Sequence, residues 1–112
     1  MAFSKEILKG SIELIVLQTL DDLDEAYGYQ LTSAIEKSSA SIFQFQESTL
    51  YPLLYRLEEK GFLESEWKQK GEKKRRYYKL TREGKRVLQE ETVQFKHFLK
   101  GMNKILRTEA HA

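Results

Sequence analysis

Residues able to do chemistry fall into three sets along this 112-residue chain. Asp21, Asp22, Asp24 and Glu25 place four carboxylates in five positions. They lack the glycine and terminal bidentate glutamate of a calcium loop, so the expectation is a polar turn whose acids favour the start of the next helix. Ser48, Thr49, Tyr51, Tyr55 and Arg56 form a second set, all hydrogen-bond donors. They suit phosphate oxygens and base edges, and an arginine pairs with guanine through two bonds at once. The third set is basic. Residues 66–86 hold ten Lys/Arg against three acids, a local charge of +7, while the rest of the chain carries −5. Such asymmetry signals an anionic partner.

Much other chemistry is excluded. There is no cysteine, so disulfides, thiol catalysis and cysteine zinc sites are absent, which fits a reducing, cytoplasmic setting. His97 and His111 have no carboxylate or serine arrangement around them and are expected at the surface. No nucleophile–base pair, phosphate loop or metal-ligand cluster stands out. The expectation is therefore a protein that is not an enzyme and uses no cofactor and no metal. No run approaches the ~18 apolar residues of a membrane span, and the first residues lack the layout of a secretory leader. No membrane association is expected.

The elements that must position these residues follow from periodicity. Ser48 to Gly61 carries Leu50, Leu53, Leu54 and Leu57 at helical spacing, which predicts a helix with one buried stripe. Its opposite face collects Ser48, Tyr51, Pro52, Tyr55, Arg56 and Glu59, more aromatic than an ordinary solvated face. Ser48 is the better N-cap by chemistry, Pro52 falls within about a turn of the start, and Gly61 supplies a left-handed stop. Upstream, Ser4–Asp22 reads as one helix, apolar over a broad stripe that includes Ile7, Leu8 and Ile12, with Gly10 marking a kink or close approach. A helix so widely apolar is buried on more than one side. Tyr27–Ser39 reads as the second helix, with Gly28 at its start suited to close packing.

Downstream the period changes to two. Phe62–Lys70 and Arg75–Leu80 read as strands joined by a four-residue turn, with Trp67, Tyr78 and Leu80 facing inward and Lys and Arg at the tip. Thr81 caps a last helix of about 25 residues, roughly 38 Å long at 1.5 Å per residue. Leu88, Thr92, Phe95, Leu99, Met102 and Leu106 recur along it at intervals of four and three, a heptad seam. A small domain cannot cover that stripe, and a second copy of the chain is the simplest cover.

Three helices followed by a basic hairpin is the order of a winged helix-turn-helix, in which the third helix enters the major groove of DNA. The fold class expected is mainly α with a two-stranded β-hairpin. Residues 1–80 would form the DNA-binding unit, with its first helix contributing to the dimer, and 81–112 the dimerisation helix. The wing cations Lys73, Lys74, Arg75 and Arg76 would meet phosphate or the minor groove. The alternative is a winged helix used only for protein contacts, because fold does not fix function.

Tyr27-Gly28-Tyr29, then Ser48-Thr49-Leu50-Tyr51-Pro52-Leu53-Leu54 with Arg56-Leu57-Glu58 and Gly61, then Tyr77-Tyr78-Lys79-Leu80-Thr81 with Gly84, resemble the PadR family of bacterial transcriptional regulators. Its short subgroup has a single C-terminal helix. The resemblance implies a homodimeric regulator of double-stranded DNA, usually a repressor and often released by a small molecule. It places Thr49, Tyr51 and Pro52 on the DNA-facing helix, Tyr29 on its neighbour, and Arg75 and Arg76 on the wing. In some relatives a dimer-interface cavity takes a flat aromatic effector; Phe95, Phe98 and Met102 would line it here, although these residues read first as plain dimer core. The chain departs from the family in its acidic Asp21–Glu25 turn and in a basic wing turn without proline.

Overall fold

The structure, a computed structural model, describes residues 3–108; His111 and the end of the 81–112 segment lie outside the described residues. Its elements are α1 (Lys5–Leu8), α2 (Ser11–Leu23), α3 (Gly28–Ser38), α4 (Glu47–Glu59), β1 (Leu63–Lys70), β2 (Lys73–Leu80) and α5 (Arg82–Leu106). One core joins all of them but α1: Val16, Leu17 and Leu20 of α2, Leu31 and Ile35 of α3, the four leucines of α4, Leu63, Tyr78 and Leu80 of the hairpin, and Val87 and Leu88 of α5. Helices around a two-stranded antiparallel sheet are the architecture expected. No helix among the described residues is long and apolar enough to cross a membrane.

The single N-terminal helix expected from Ser4 to Asp22 is two helices. Ser4 caps α1, accepting from the Ile7 N–H at 3.2 Å. Gly10 then turns left-handed at φ 83° and starts α2. Apolar periodicity runs through the break because both helices put their apolar residues toward the same groove, so spacing alone hides it.

The start of α4 also differs. Gln46 is the N-cap residue, with extended backbone and no capping side chain, and Ser48 lies inside the helix with its hydroxyl 3.4 Å from Gln46 Oε1. Pro52 is therefore the sixth helical residue, beyond the turn in which a missing N–H costs nothing. The end of α4 follows expectation. Gly61 is left-handed at φ 83°, the Phe62 N–H reaches the Leu57 carbonyl, and the Gly61 N–H reaches that of Glu58, each at 3.0 Å. This bond pair closes a helix at glycine.

The hairpin turns on two residues, Gly71 and Glu72, so Lys73 and Lys74 belong to β2 rather than to a four-residue turn. Leu63 opposes Leu80, Ser65 opposes Tyr78 and Trp67 opposes Arg76. Opposed residues share a face, so Trp67 shares the inner face with Tyr78 and Leu80. Yet Trp67 is 58% exposed, against 1% for Tyr78. The strands outrun the core, and Trp67 stands past its end. Tyr77, on the other face, is buried too, edge-on to Tyr27 at 5.3 Å. Ala26 and Tyr78 exchange two backbone bonds, at 3.0 and 2.9 Å, which fasten the α2–α3 connection to the wing's root. Glu25 serves the same fastening. Its carboxylate takes Lys68 Nζ at 2.7 Å instead of sitting over the start of α3, and that bond holds its pKa below the usual carboxylate value.

Thr81 caps α5 as expected, accepting from the Gly84 N–H at 3.0 Å. Leu88 is buried in the chain's own core, so the uncovered seam begins at Thr92 rather than at Leu88. Where α5 leaves the hairpin, Gly84 presses on Phe62: a Cβ there would lie 2.0 Å from the Phe62 carbonyl oxygen. That oxygen already accepts the Thr81 N–H at 3.0 Å, so neither partner can yield without breaking a backbone bond. Gly84→Ala is expected to lower unfolding stability by about 3 kcal/mol or more, as severe overpacking does, measured by denaturant titration.

Candidate nucleic-acid interface

Burying the leucine stripe decides which side chains of α4 remain free. Leu50, Leu53, Leu54 and Leu57 are buried, and Ser48, Thr49, Pro52, Tyr55, Arg56 and Glu59 are exposed. At about 100° per residue the exposed arc has two flanks. Tyr51, Tyr55 and Glu58 turn toward the hairpin. Thr49, Arg56 and Lys60 turn the other way, where Arg56 Nε lies 3.8 Å and Lys60 Nζ 3.3 Å from Glu13 Oε1 of α2.

Between α4 and the wing lies a cleft of about 530 Å³. Tyr27, Tyr29 and Tyr51 stand on the α3–α4 side, and Trp67, Lys74 and Arg75 on the wing. Tyr51 reaches its place because Gly28 has no side chain: a Cβ on Gly28 would lie 2.6 Å from Tyr51 Oη. Burial, with Glu47 and Tyr55 adding to it, pushes the Tyr51 phenol up from its ordinary value. Its ring stacks beside that of Tyr55 at 6.2 Å. Tyr78 also lines the cleft, its hydroxyl buried with no hydrogen-bond partner among the described residues. Burial pushes that phenol up to about 12, against a smaller opposing pull from Arg76. Both phenols therefore keep their protons at neutral pH and remain donors.

The four wing cations expected to act together are separated. Lys73 and Lys74 are exposed, and Lys74 Nζ lies 5.8 Å over the Trp67 ring. Arg75 lies over Tyr27, its Cζ 4.4 Å from the ring centre. Arg76 turns back onto α4. Its Nη2 donates to Glu58 Oε1 at 3.0 Å and its Nε to Ser65 Oγ at 2.9 Å. Ser65 Oγ in turn donates to Glu58 Oε2 at 2.8 Å. This ring of three bonds ties α4, β1 and β2 together.

Tyr29 is 63% exposed at the start of α3, on the rim of the same cleft. The structure thus brings Tyr29, Tyr51, Tyr55, Lys74 and Arg75 to one opening. Ser48 and Pro52 occupy the exposed crest of α4 beside it, and Arg56 and Thr49 its far flank. Glu58 and Trp67 were not assigned to this site from the sequence. Glu58 reads as an ordinary helix glutamate, since its partner Arg76 is 18 residues away. Trp67 reads as core, since alternation gives the face of a residue and not its depth. Strand length against core size is the signal that would have found it.

Four similarities to known proteins bear on this arrangement. A model of the transcriptional regulator PadR-like family matches residues 16–90. An uncharacterized protein of Lysinibacillus sphaericus is 34% identical over 86 residues, 76% of this chain and 78% of its own. The crystal structure of a PadR family transcriptional regulator from Eggerthella lenta is 38% identical, with a TM-score of 0.79 over 93% of this chain and 88% of that one. Bacillus subtilis PadR, solved in complex with operator DNA, is 26% identical, with a TM-score of 0.68 over 75% of this chain and 47% of that one.

The Glu58–Arg76 pair is only about one-third exposed, and a hydrogen-bonded charge pair there outweighs an open surface pair. Glu58→Ala is expected to cost about 1–2 kcal/mol of stability. A double-mutant cycle with Arg76→Ala should return a coupling of about 1 kcal/mol. A coupling near zero, read from denaturant titrations, would mean the tether does not hold the wing.

Proposed function

The chain belongs to the PadR-like family of transcriptional regulators, and from that premise we propose that it binds a pseudo-palindromic operator in double-stranded DNA as a homodimer and represses transcription. The observation that carries this is the shared opening of α4 and the wing, where phenols and free cations converge on one side of the molecule. In this reading α4 enters the major groove, the wing tip approaches the minor groove, and the protein works in the cytoplasm. Residues 1–80 supply the DNA-binding unit and 81–112 the dimerisation helix.

The homodimer is supported by apolar surface that the chain leaves uncovered. Phe98, Leu99, Met102, Ile105 and Leu106 are exposed along the second half of α5, and Ile7 on α1. A contiguous patch of this kind marks an interaction site. Beside it runs a groove of about 450 Å³ walled by Ile7, Leu8, Leu14, Ile15, Phe43 and Phe95. A small aromatic effector fits that groove by chemistry. Phe95 lines it and Phe98 lies against Phe95 at 6.0 Å, whereas Met102 is not among its walls. A compound lodged there would press on α5, and so on the spacing between two reading heads.

Selection from a random duplex pool is expected to enrich a two-fold motif whose half-sites lie about one helical turn, ~34–36 Å, apart. No enrichment at low salt would overturn the regulator reading in favour of a protein-binding winged helix. Leu99→Glu with Ile105→Glu should give a folded monomer by sedimentation and weaken operator binding by roughly 10²-fold, the scale of lost bivalency. The wing cations should divide as the structure divides them. Lys74→Ala should reduce the slope of log K against log salt by about 0.9. Arg76→Ala, which removes a cation already paired to Glu58, should leave that slope nearly unchanged.

A further inference from the structure

Trp67 is the chain's single tryptophan and the core does not need it. At 58% exposed its indole stands outside the buried core, with Lys74 Nζ 5.8 Å from the ring. It sits on the inner face of the wing, opposite Arg76 in the register, and lines the cleft shared with Tyr29, Tyr51 and Tyr55. A large ring left in water beside cations and phenols fits a ligand with alternating character, anionic at intervals and apolar between them.

A DNA strand has that character. Its phosphates carry the charge, and the deoxyribose C–H faces between them are apolar. If α4 occupies one groove and the wing tip the next, the strand that separates the two grooves must cross this cleft. We infer that Trp67 is a DNA-contact residue, its indole packing against a backbone sugar while Lys74 and Arg75 take the flanking phosphates. This rests on the operator-binding reading above. Such a contact fixes the register of the strand between α4 and the wing without reading a base, the role backbone contacts play generally. An aromatic ring with one N–H and two rotatable bonds does this with little entropy to lose.

Trp67→Ala and Trp67→Phe, tested in the full-length protein with a selected duplex, separate the outcomes. The alanine variant should melt like the parent, because the ring is not in the core, and bind about tenfold more weakly. Its salt slope should equal the parent's, because no phosphate contact is lost. The phenylalanine variant should recover most of the affinity. In the parent, Trp67 fluorescence should change on adding the duplex and saturate with binding. Equal affinity of parent and alanine variant, with no fluorescence change, would overturn the inference and leave the operator reading standing. A shallower slope in the alanine variant would also overturn it, showing that Trp67 acts by positioning Lys74. Failure of the parent to bind any duplex would overturn both readings together.

Discussion

Leu50, Leu53, Leu54 and Leu57 are each at most 3% exposed, and their burial sets the pose of α4 and with it everything on the opposite face. Burying a leucine is worth about 1.5–3 kcal/mol, so the stripe contributes roughly 6–12 kcal/mol, an upper figure because an unfolded chain already hides part of that surface. The ring of bonds between Glu58, Arg76 and Ser65 is worth several times less. The two act on different variables. The leucines decide which way the helix faces, and the polar ring decides where the wing stands beside it. A weak interaction suffices for the second task, because the root of the wing is already held by Tyr78, Leu63 and the Ala26 bridge.

A second constraint joins the end of α4 to the start of α5. Thr81 Oγ1 donates to the Gly61 carbonyl at 2.6 Å, its N–H to that of Phe62, and Gly84 lies against the same Phe62. The last turn of α4 and the first turn of α5 are thereby parts of one rigid junction. On α5, two turns further along, burial and nearby Glu13 hold the Glu91 carboxyl above its usual range, and Glu13 is the residue that takes Lys60 of α4. A rotation of α5 would therefore reach α4 through the bonds of this junction. In a dimer built on α5, the angle of that helix and the placing of α4 cannot change independently.

The features legible in the sequence were those decided locally. The α4 stripe, the Gly61 stop, the Thr81 cap and the length of α5 depend on residues within a turn or two of one another. What was missed depends on something a local pattern does not contain. Gly10 breaks a helix whose apolar period runs on because both pieces line one groove. Gln46 displaces Ser48 as N-cap because the preceding chain arrives extended at that residue, against the side-chain preference. Trp67 has the right face and the wrong depth. Arg76 belongs with Glu58 and Ser65, and only the folded hairpin brings the three together.

The same distinction corrects the electrostatics. Counted from sequence, residues 66–86 carry +7, which would suggest binding dominated by that whole segment. In the fold Lys68 pairs with Glu25, Arg76 with Glu58, Lys79 with Glu64, and Arg86 with Glu83 and Glu90. An ion-paired side chain releases no counterion from DNA unless its partner lets go. Among the described residues, the wing cations without such a pair are Lys70, Lys73, Lys74 and Arg75. At about 0.9 of salt slope per neutralised phosphate, they support at most about 3.6 per chain. Lys68, Arg76 and Lys79 are instead tied to Glu25, Glu58 and Glu64, so the wing's charge is divided between building the surface and using it.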